Sequence, residues 1–432
     1  MDYRQEYEKR RKGIKECLEY IKSGDVIVFA GDGNAALDIA NEFHSIAPGV
    51  EDVKIFKDCN SYFPFVAMDG MKGHIFSQGF FFGRDMRDGH KKGNCAFFPA
   101  DIYMNGRFIA DNNPNVFISA ATPMDENGNL QVGLCNMWEP DSIDYVRKNH
   151  GAFILEVNPN LPRVNGGVEI NITEVTALVE SSRPISLIPP MGASEDTLEV
   201  ARNVRSLIKD GDCVQFGIGG LPNAIAEMCM DLNDLGMHSE MVTSAMGKMV
   251  REGVITGKRK TLMKGKHVFT FAGGDQELFD TLKTNDSFVI VPANFGCDPF
   301  VIAQNDNMVS VNTCVEMDLM GQITSEAIGT VQFSGSGGAF CYAYGALRSK
   351  GGRGIMAFTS RSGKGFSKIK SVLSEGSTVT IPRNYADYIV TEYGIAQLRG
   401  KNLKERAEAL IAIAHPDFRA ELRKEAEKYK WL

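Results

Sequence analysis

Short apolar runs alternate with segments of helical periodicity along the whole 432-residue chain. The runs are rich in β-branched residues, and apolar side chains at consecutive positions bury both faces of a strand. This pattern is typical of parallel strands joined by helical crossovers, so the chain is predicted to have an α/β fold. The clearest predicted strands are Asp25–Gly31, Val116–Ala121, Phe153–Val157, Val268–Ala272 and Phe288–Pro292.

A repeated segment relates the two halves of the chain. Residues 21–33 (IKSGDVIVFAGDG) align without a gap with residues 208–220 (IKDGDCVQFGIGG), and six of the positions are identical. Each copy has the pattern of a helix, a Gly-Asp turn, a strand, a glycine-rich loop and a second helix. We therefore predict two related open α/β domains that arose by internal duplication, with chance similarity between two α/β units as the alternative.

The predicted domain boundary follows from the proline-rich stretch Arg183–Ala193, which is typical of a linker. It separates an N-terminal α/β domain, residues 1–184, from a C-terminal α/β domain, residues 185–432. The C-terminal domain ends in two charged amphipathic helices, which the sequence His415-Pro416 separates.

Composition and charge exclude several classes of protein. A net charge of −7 opposes a nucleic-acid partner, because phosphates require a basic face. No run reaches the roughly 18–20 apolar residues that span a bilayer, and the charged N-terminus lacks the apolar stretch of a signal peptide. The nine cysteines lie singly, without a CxxC pair, and the seven histidines are isolated. We predict a cytoplasmic protein with reduced thiols and no membrane or metal site.

A first candidate for chemistry is the glycine-rich loop Gly217–Pro222, which follows the apolar run CVQF and precedes a helical segment. Glycines allow the backbone N–H groups to approach a ligand closely, and a helix N-terminus favours negative charge. Pro222 suits the first helical turn, where its missing N–H is not required. A tight strand-to-helix turn without a ligand is the equally weighted alternative.

A dinucleotide-binding fold is the rival interpretation of this loop. It requires an acidic residue about 20 residues further on, and Glu240 lies at that distance from Gly219. However, Pro222 replaces the third glycine of the fingerprint, and Asp32 of the first repeat places a carboxylate where a pyrophosphate would bind. Binding of a nicotinamide dinucleotide is therefore the less favoured interpretation of this loop.

Two further segments carry polar or unusually small residues. His238–Thr243 contains Glu240 among apolar neighbours, although such a carboxylate is more often ion-paired or exposed. Ser334–Ala339, shortly after Val315–Asp318, begins with five small residues in a row (SGSGG), which indicates a backbone packed close to another segment or to a ligand. The usual motifs of hydrolases, metalloproteases, P-loop proteins and EF-hands are absent.

Taken together, these segments resemble the family I CoA-transferases, in the branch that contains 4-hydroxybutyrate CoA-transferase, butyryl-CoA:acetate CoA-transferase and acetyl-CoA hydrolase. The resemblance covers nearly the whole chain. The segments that carry it are Ala121–Gly128, Glu156–Gly166, Gly217–Pro222, Leu235–Glu240, Val315–Gly329, Ser334–Gly338, Asp387–Gly400 and Ile413–Phe418.

The resemblance implies a two-domain CoA-transferase fold and a ping-pong reaction through a glutamyl-CoA thioester, with Glu240 as the nucleophile. A glutamate has an ordinary pKa of about 4.3, so it is ionised at neutral pH and needs no base to activate it. The residues that line CoA by the same resemblance are Gln215, Phe216, Gly217, Ile218, Gly219, Val315 and Gly338. Tetrahedral intermediates develop an oxyanion, and the glycine-rich backbone that includes Gly220, Gly335 and Gly337 is suited to supply N–H groups to it.

This chain departs from the family pattern at two places. After SGSGG the family usually has an Asp and an Arg where this chain has Cys341 and Tyr344, and after the glutamate it usually has Ser-Asp-Gly where this chain has Thr243–Ala245. Both changes remove charge near the implied acyl pocket, at which we place Cys341 and Tyr344. These two departures concern the choice of acyl group and acceptor. Cys341 is more readily explained as a small buried apolar residue than as a second nucleophile.

The predicted function is that of an acyl-CoA:carboxylate CoA-transferase of acyl-CoA and fatty-acid metabolism. It would move CoA between a short-chain acyl-CoA, of the butyryl or 4-hydroxybutyryl type, and a carboxylate such as acetate. CoA is then a substrate, no tightly bound cofactor is expected, and the resemblance implies a homodimer or higher homo-oligomer. The alternatives are an acyl-CoA hydrolase, such as an acetyl-CoA hydrolase, and a catalytically silent CoA-binding protein.

Overall fold

The computed structural model of the protein describes residues 1–57, 61–189 and 191–432. It contains two compact units, each made of two stretches of chain. The first unit comprises Met1–Ile188 and Phe269–Phe295, and the second comprises Pro189–Val268 and Gly296–Leu432. Division into the domains 1–184 and 185–432 stays a prediction, and Pro190 of the predicted linker lies outside the described residues.

The first unit contains a seven-stranded parallel sheet that agrees with the predicted α/β class. Its strands lie in the order β4-β3-β2-β1-β5-β7-β9, and a short antiparallel pair, β6-β8, lies outside it. In chain order the strands are β1 (Val26–Phe29), β2 (Val53–Lys57), β3 (Ile75–Gly79), β4 (Cys95–Phe97), β5 (Val116–Ala121), β6 (Asn129–Val132), β7 (Ala152–Val157), β8 (Val168–Asn171) and β9 (Ala177–Glu180).

Helices cross between these strands and bury the sheet. Every residue of the central strand β5 is buried, as the unbroken apolar run predicts. On one side of β1 an aromatic cluster forms the core, in which the ring of Phe29 lies 5.3 Å from Phe43 and 4.9 Å from Phe63. The α-helices are α1 (Tyr3–Arg10), α2 (Ile14–Leu18), α3 (Leu37–Glu42), α4 (Arg84–His90), α5 (Asn105–Ala110) and α6 (Glu139–Lys148), and the 3-10 helices are Asp32–Asn34, Phe43–Gly49, Pro64–Ala67, Ile102–Met104 and Ile172–Glu174.

The helices of residues 189–432 include the two in the charged C-terminal tail. These two helices meet at His415 and Pro416, because proline lacks the N–H that a continuing helix needs and is tolerated in a first turn. The nine helices described in this stretch are α7 (Glu195–Arg205), α8 (Gly220–Met228), α9 (Ser244–Arg251), α10 (Gln276–Thr284), α11 (Ala293–Gly296), α12 (Pro299–Ile302), α13 (Ala339–Arg348), α14 (Leu403–Ile413) and α15 (Pro416–Lys428).

The second unit contains a six-stranded sheet in the order β11-β10-β16-β21-β23-β24, parallel except for its last pair. The shorter strands after residue 189 form separate small sheets, and β14 and β15 belong to the stretch Phe269–Phe295 of the first unit. In chain order the strands after residue 189 are β10 (Cys213–Phe216), β11 (Gly236–Met237), β12 (Met241–Val242), β13 (His267–Phe269), β14 (Phe271–Ala272), β15 (Phe288–Ile290), β16 (Met308–Asn312), β17 (Glu316–Asp318), β18 (Ile323–Thr324), β19 (Ala327–Ile328), β20 (Val331–Gln332), β21 (Arg353–Ala357), β22 (Ile369–Lys370), β23 (Tyr388–Thr391) and β24 (Gly394–Gln397).

The two copies of the sequence repeat adopt the same local structure. Strand β1 and strand β10 occupy equivalent repeat positions, and each lies inside its own parallel sheet. The turns before them match closely, since Gly24 and Gly211 have φ angles of 81° and 80°. In both turns the aspartate that follows the glycine accepts a hydrogen bond of 2.7 Å from a lysine N–H three residues earlier. This agreement favours an internal duplication, which stays a prediction.

One predicted strand, Val268–Ala272, is wrong as a single element. The run forms β13 and β14, which Thr270 separates, and neither belongs to the two large sheets. The carbonyl of Thr270 accepts a hydrogen bond of 2.8 Å from the N–H of Asn136, so the backbone here is paired with a distant segment. The sequence offers no sign of that partner.

Eight of the nine cysteines are free and buried, and the ninth, Cys59, lies outside the described residues.

A buried carboxylate in the first unit leads to a prediction about stability. Glu139 is fully buried, and this burial raises its pKa from 4.5 to about 7, against the opposing effect of the N–H groups of Gly31 and Trp138. A pKa that is raised by folding means that the folded state binds the proton more tightly than the unfolded state does. The stabilisation is therefore complete below pH 4.5 and is lost as the pH rises through 7.

We expect the free energy of unfolding of the wild-type protein, relative to Glu139→Gln, to fall by about 3 kcal/mol between pH 4.5 and pH 8. The neutral amide of the variant does not titrate, so its own curve lacks this component. Denaturant unfolding at several pH values measures the difference, with the exposed Glu126→Gln as the control. Parallel stability curves for the wild type and Glu139→Gln would contradict the assignment.

Candidate active site

The strand order of the second unit reverses between β10 and β16, which is where open α/β sheets form a crevice. From β10 the chain crosses to β11 on one side, whereas β16 continues to β21 on the other, so the strand order reverses between β10 and β16. In open α/β sheets, ligands bind at such a point, outside the carboxyl ends of the strands. The side chains of Gln215 and Asn312 bridge these two strands there through reciprocal amide hydrogen bonds of 3.2 Å.

The corresponding place in the first unit, between β1 and β5, is filled by the chain itself. The loop after β1 donates from Gly31 N–H to the buried carboxylate of Glu139, at 2.7 Å. Asn34 exchanges hydrogen bonds with the backbone of Leu134 and Cys135, and the indole N–H of Trp138 donates to the carbonyl of Phe29. The glycine loop of the first repeat therefore holds an internal carboxylate.

The glycine-rich loop of the second unit has room beside its backbone at Gly217 and Gly219, whereas a Cβ at Gly220 would lie 2.6 Å from the carbonyl oxygen of Gly192. A Cβ atom added to Gly217 or to Gly219 would approach no other heavy atom more closely than 3.8 Å. Gly219 has a φ angle of 126°, which strongly favours glycine, and the side chain of Ile218 is 49% exposed. Helix α8 begins directly at Gly220, so its unpaired N–H groups and dipole favour an anion beside this loop.

Glu240 lies just beyond β11 and is bound by a backbone amide of another segment. The N–H of Gly338 donates a hydrogen bond of 2.9 Å to Oε2 of Glu240. Gly338 immediately precedes α13, so this N–H belongs to the positive end of a helix of ten residues. A Cβ at Gly338 would lie only 2.2 Å from the same carboxylate oxygen, so this approach requires glycine.

A fold with a reversal of strand order, a glycine loop and a carboxylate held by an amide agrees with the matches to known proteins. The family model of the acetyl-CoA hydrolase/transferase N-terminal domain matches residues 1–189, and that of the C-terminal domain matches residues 274–426. The chain belongs to the acetyl-CoA hydrolase/transferase family. The predicted family and the α/β fold are therefore confirmed, and the protein is an enzyme of this family.

Full-length relatives of this acetyl-CoA hydrolase/transferase family member are CoA-transferases. The 4-hydroxybutyrate coenzyme A transferase of Clostridium kluyveri is 34% identical, over 99% of this chain and 100% of its own length. The butyryl-CoA:acetate CoA-transferase of Anaerostipes caccae is 33% identical, over 99% and 98% respectively. The crystal structure of RipA from Yersinia pestis is 31% identical, covers 100% of both chains and has a TM-score of 0.93.

The other predicted site residues lie on several segments of the second unit. Gln215 and Phe216 are buried in β10, directly before the glycine loop, so any ligand there would meet the loop backbone and not the ring of Phe216. Val315 follows the end of β16 and is partly exposed. Gly335 and Gly337 are buried in the loop that ends at Gly338, and Gly337 has a φ angle of 50°.

The two residues assigned to the acyl pocket lie on α13 and differ in exposure. Cys341 is fully buried. Tyr344 is partly exposed, stacks on Phe340 with ring centroids 5.7 Å apart, and packs against Tyr385 at 4.9 Å. Thr243, at the other departure from the family pattern, accepts a hydrogen bond from Met246 N–H and begins α9. Whether these residues select the acyl group stays a prediction.

Sequence reasoning missed three polar residues of this region, namely Asn312, His238 and Tyr342. Asn312 pairs with Gln215, while His238 and Tyr342 are both fully buried and donate to the same backbone carbonyl. His238 had a signal, because it lies two residues before Glu240. Asn312 and Tyr342 had none, because their partners are far away in the sequence.

Among the described residues, no group of three or more His, Cys, Asp or Glu side chains is placed to hold a metal ion. Over the same ranges, no helix has the length and the apolar character that crossing a membrane requires.

Proposed function

We propose that the protein is an acyl-CoA:carboxylate CoA-transferase that works by a ping-pong mechanism, with Glu240 as its covalent nucleophile. The observation that carries the proposal is the hydrogen bond of 2.9 Å from Gly338 N–H to Oε2 of Glu240. It pairs a carboxylate with a preorganised N–H donor at the start of a helix. A nucleophile beside a fixed donor is what acyl transfer through tetrahedral intermediates requires.

In the first half-reaction, an oxygen of Glu240 attacks the thioester carbonyl of the acyl-CoA. The C–S bond breaks, leaving a mixed acyl-glutamyl anhydride and the thiolate of CoA. The thiolate then attacks the glutamyl carbonyl, which releases the acyl group as a carboxylate and leaves a glutamyl-CoA thioester. The acceptor carboxylate then reacts with the glutamyl-CoA thioester by the reverse of these two steps and leaves as the new acyl-CoA. Charge balances in each step, so no external proton donor is required.

Each attack on the glutamyl carbonyl generates an oxyanion that needs a hydrogen-bond donor. Gly338 N–H already contacts a carboxylate oxygen of Glu240, so the same amide is placed to bind the oxyanion that develops on that oxygen. Loss of one such donor costs about 3–4 kcal/mol of transition-state stabilisation in acyl-transfer enzymes. Gly335 and Gly337 shape the loop that presents this amide, and Gly220 begins a second helix at the crevice.

The CoA thioester would bind along the carboxyl edge of the second unit's sheet. The backbone from Gln215 to Gly219, together with Val315 and Gly338, supplies N–H and carbonyl groups to the pantetheine. The exposed side chain of Ile218 provides an apolar contact. Because a carboxylate is a weak nucleophile, binding of the remote nucleotide must contribute to lowering the barrier.

The substrates proposed for this chain follow the names of its relatives. We propose a short-chain acyl-CoA of the butyryl or 4-hydroxybutyryl type as the donor and acetate as the acceptor. CoA enters and leaves as a substrate, and no tightly bound cofactor takes part. A cytoplasmic homodimer or higher homo-oligomer completes the proposal.

Two other functions use the same site differently. In an acyl-CoA hydrolase, water discharges the acyl-glutamyl or glutamyl-CoA intermediate, and CoA is released without an acceptor acid. Acetyl-CoA hydrolases are among the relatives, at 22% identity over 76% of this chain for the Candida albicans protein. A catalytically silent CoA-binding protein would bind CoA and form no adduct.

We expect a mass increase equal to CoA, less water, when the protein is mixed with butyryl-CoA or 4-hydroxybutyryl-CoA in the absence of an acceptor. The adduct should map to the peptide that contains Glu240 and should disappear when acetate is added, because acetate completes the second half-reaction. Intact-protein mass spectrometry followed by peptide mapping measures both results. Steady release of free CoA without acetate would favour the hydrolase, whereas binding without an adduct would favour the silent protein.

A further inference from the structure

Two fully buried side chains of the second unit meet at one backbone carbonyl. Nε2 of His238 lies 2.9 Å from the carbonyl oxygen of Gly296, and the hydroxyl of Tyr342 lies 2.8 Å from the same oxygen. A carbonyl oxygen only accepts hydrogen bonds, and it has two lone pairs. Both side chains therefore donate, and the proton of the neutral imidazole resides on Nε2.

His238 belongs to the segment that carries the carboxylate. It precedes Glu240 by two residues and continues β11, since its N–H donates to the carbonyl of Val214 at 3.3 Å. The intervening Ser239 donates its N–H to the carbonyl of Val268 at 2.9 Å. The backbone leading to Glu240 is thus held on both sides, and the imidazole adds a third attachment through Gly296.

Tyr342 belongs to the helix that carries the amide. Its own N–H donates to the carbonyl of Gly338 at 2.8 Å, one turn earlier in α13. The edge of its ring also borders Gly338, because a Cβ added there would lie 3.0 Å from Cδ2 of Tyr342. The carbonyl of Gly296 therefore links the strand extension that bears Glu240 to helix α13, whose N-cap residue Gly338 donates its amide to that carboxylate.

Neither donor changes its charge near neutral pH. Burial lowers the pKa of His238 to about 3, with a further contribution from the positive charge of Lys260. Burial raises the pKa of Tyr342 well above its usual value, and the neighbouring Cys297 and Glu240 act in the same direction. Both groups remain neutral donors, so proton transfer to substrate is not their role.

We propose that His238 and Tyr342 are positioning residues that fix the Glu240 carboxylate relative to the Gly338 amide through their common acceptor, the carbonyl of Gly296. The inference rests on the proposed function, in which Glu240 attacks the thioester and Gly338 N–H binds the oxyanion. Reacting atoms must be held about 3–3.5 Å apart with aligned orbitals, and a displacement of 1 Å costs roughly 10²-fold in rate. Two attachments to one rigid acceptor supply that alignment without contact with the substrate.

The test is the rate of glutamyl-CoA formation in Tyr342→Phe, which removes one hydroxyl and keeps the ring. We expect the loading rate and kcat to fall about tenfold, with KM for acyl-CoA unchanged within about twofold, since only alignment is lost. Tyr145→Phe is the matched control, because it removes a hydroxyl that donates to Asn113 in the first unit. The control should load at the wild-type rate.

A second pair of variants keeps the proposal testable if Tyr342→Phe folds poorly. His238→Leu removes the donor, whereas the amide nitrogen of His238→Gln reaches a position similar to that of Nε2. We expect about a tenfold loss of loading rate for His238→Leu and recovery to within about threefold of the wild type for His238→Gln. This recovery depends on the hydrogen bond to Gly296 and not on the volume of the side chain.

The outcomes separate this inference from the proposed function. If the wild-type protein loads no CoA, the proposed function fails and the inference fails with it. If the wild type loads and Tyr342→Phe and His238→Leu load equally fast per folded molecule, the inference alone fails, even where their melting temperatures fall. If His238→Gln is as slow as His238→Leu, or if KM rises in proportion to the loss of kcat, the positioning role is also overturned.

Discussion

Replacement of Glu240 by alanine is expected to reduce CoA transfer by at least about 10⁴-fold, to the background of the uncatalysed reaction. The substitution removes the atom that forms the covalent bond, so no other group of the site compensates. Glu240→Gln should lose as much, because the amide keeps the shape and an acceptor for Gly338 N–H but is not a nucleophile. Transfer from butyryl-CoA to acetate, followed by the appearance of acetyl-CoA, measures the effect.

The control for this experiment is an exposed glutamate of the same unit. Glu199 of α7 forms an ion pair with Arg202 on the surface, and Glu199→Gln should transfer CoA at the wild-type rate. The melting temperatures of both Glu240 variants should stay close to that of the wild type. Wild-type turnover by either Glu240 variant would disprove the role of Glu240 as the nucleophile. An adduct that still forms in Glu240→Ala would place the covalent chemistry at another residue.

Gly338→Ala is expected to reduce kcat/KM by about 10²–10³-fold. The added methyl group would lie 2.2 Å from Oε2 of Glu240, so the carboxylate must move away and its hydrogen bond to the amide is lost. The backbone itself accepts alanine, because Gly338 has φ and ψ angles of −90° and 4°. The measurement is steady-state transfer kinetics, together with the melting temperature.

A second glycine of the same unit separates this effect from the general cost of a methyl group. A Cβ at Gly363 would meet nothing within 4 Å, and Gly363 does not have the positive φ angle that disfavours alanine. Gly363→Ala should therefore keep wild-type kinetics. If Gly338→Ala also keeps kcat/KM within about twofold of the wild type, its N–H group does not contribute to the transition state.

The sequence alone determined the class of fold, because the burial of a strand is visible in the residue types of the strand itself. A strand that is covered on both faces needs an apolar residue at every position, as in Val116–Ala121, and all six of its residues are buried in the structure. The glycine after β10 that adopts a positive φ angle, Gly219, was likewise visible as a residue type. Resemblance to a family then singled out Glu240 as the predicted nucleophile, whereas composition and periodicity left it as one carboxylate among many.

Only the tertiary structure decided which copy of the glycine loop has free space beside its backbone. Both copies have a glycine-containing loop after a central strand, but in the first unit the N–H of Gly31 in that loop donates to Oε1 of Glu139, more than 100 residues away. The contact of Gly338 with Glu240 and the convergence of His238 and Tyr342 on Gly296 are equally remote in sequence. Local propensities depend on neighbours along the chain, whereas these hydrogen bonds depend on distances that exist only after the strands and helices have packed.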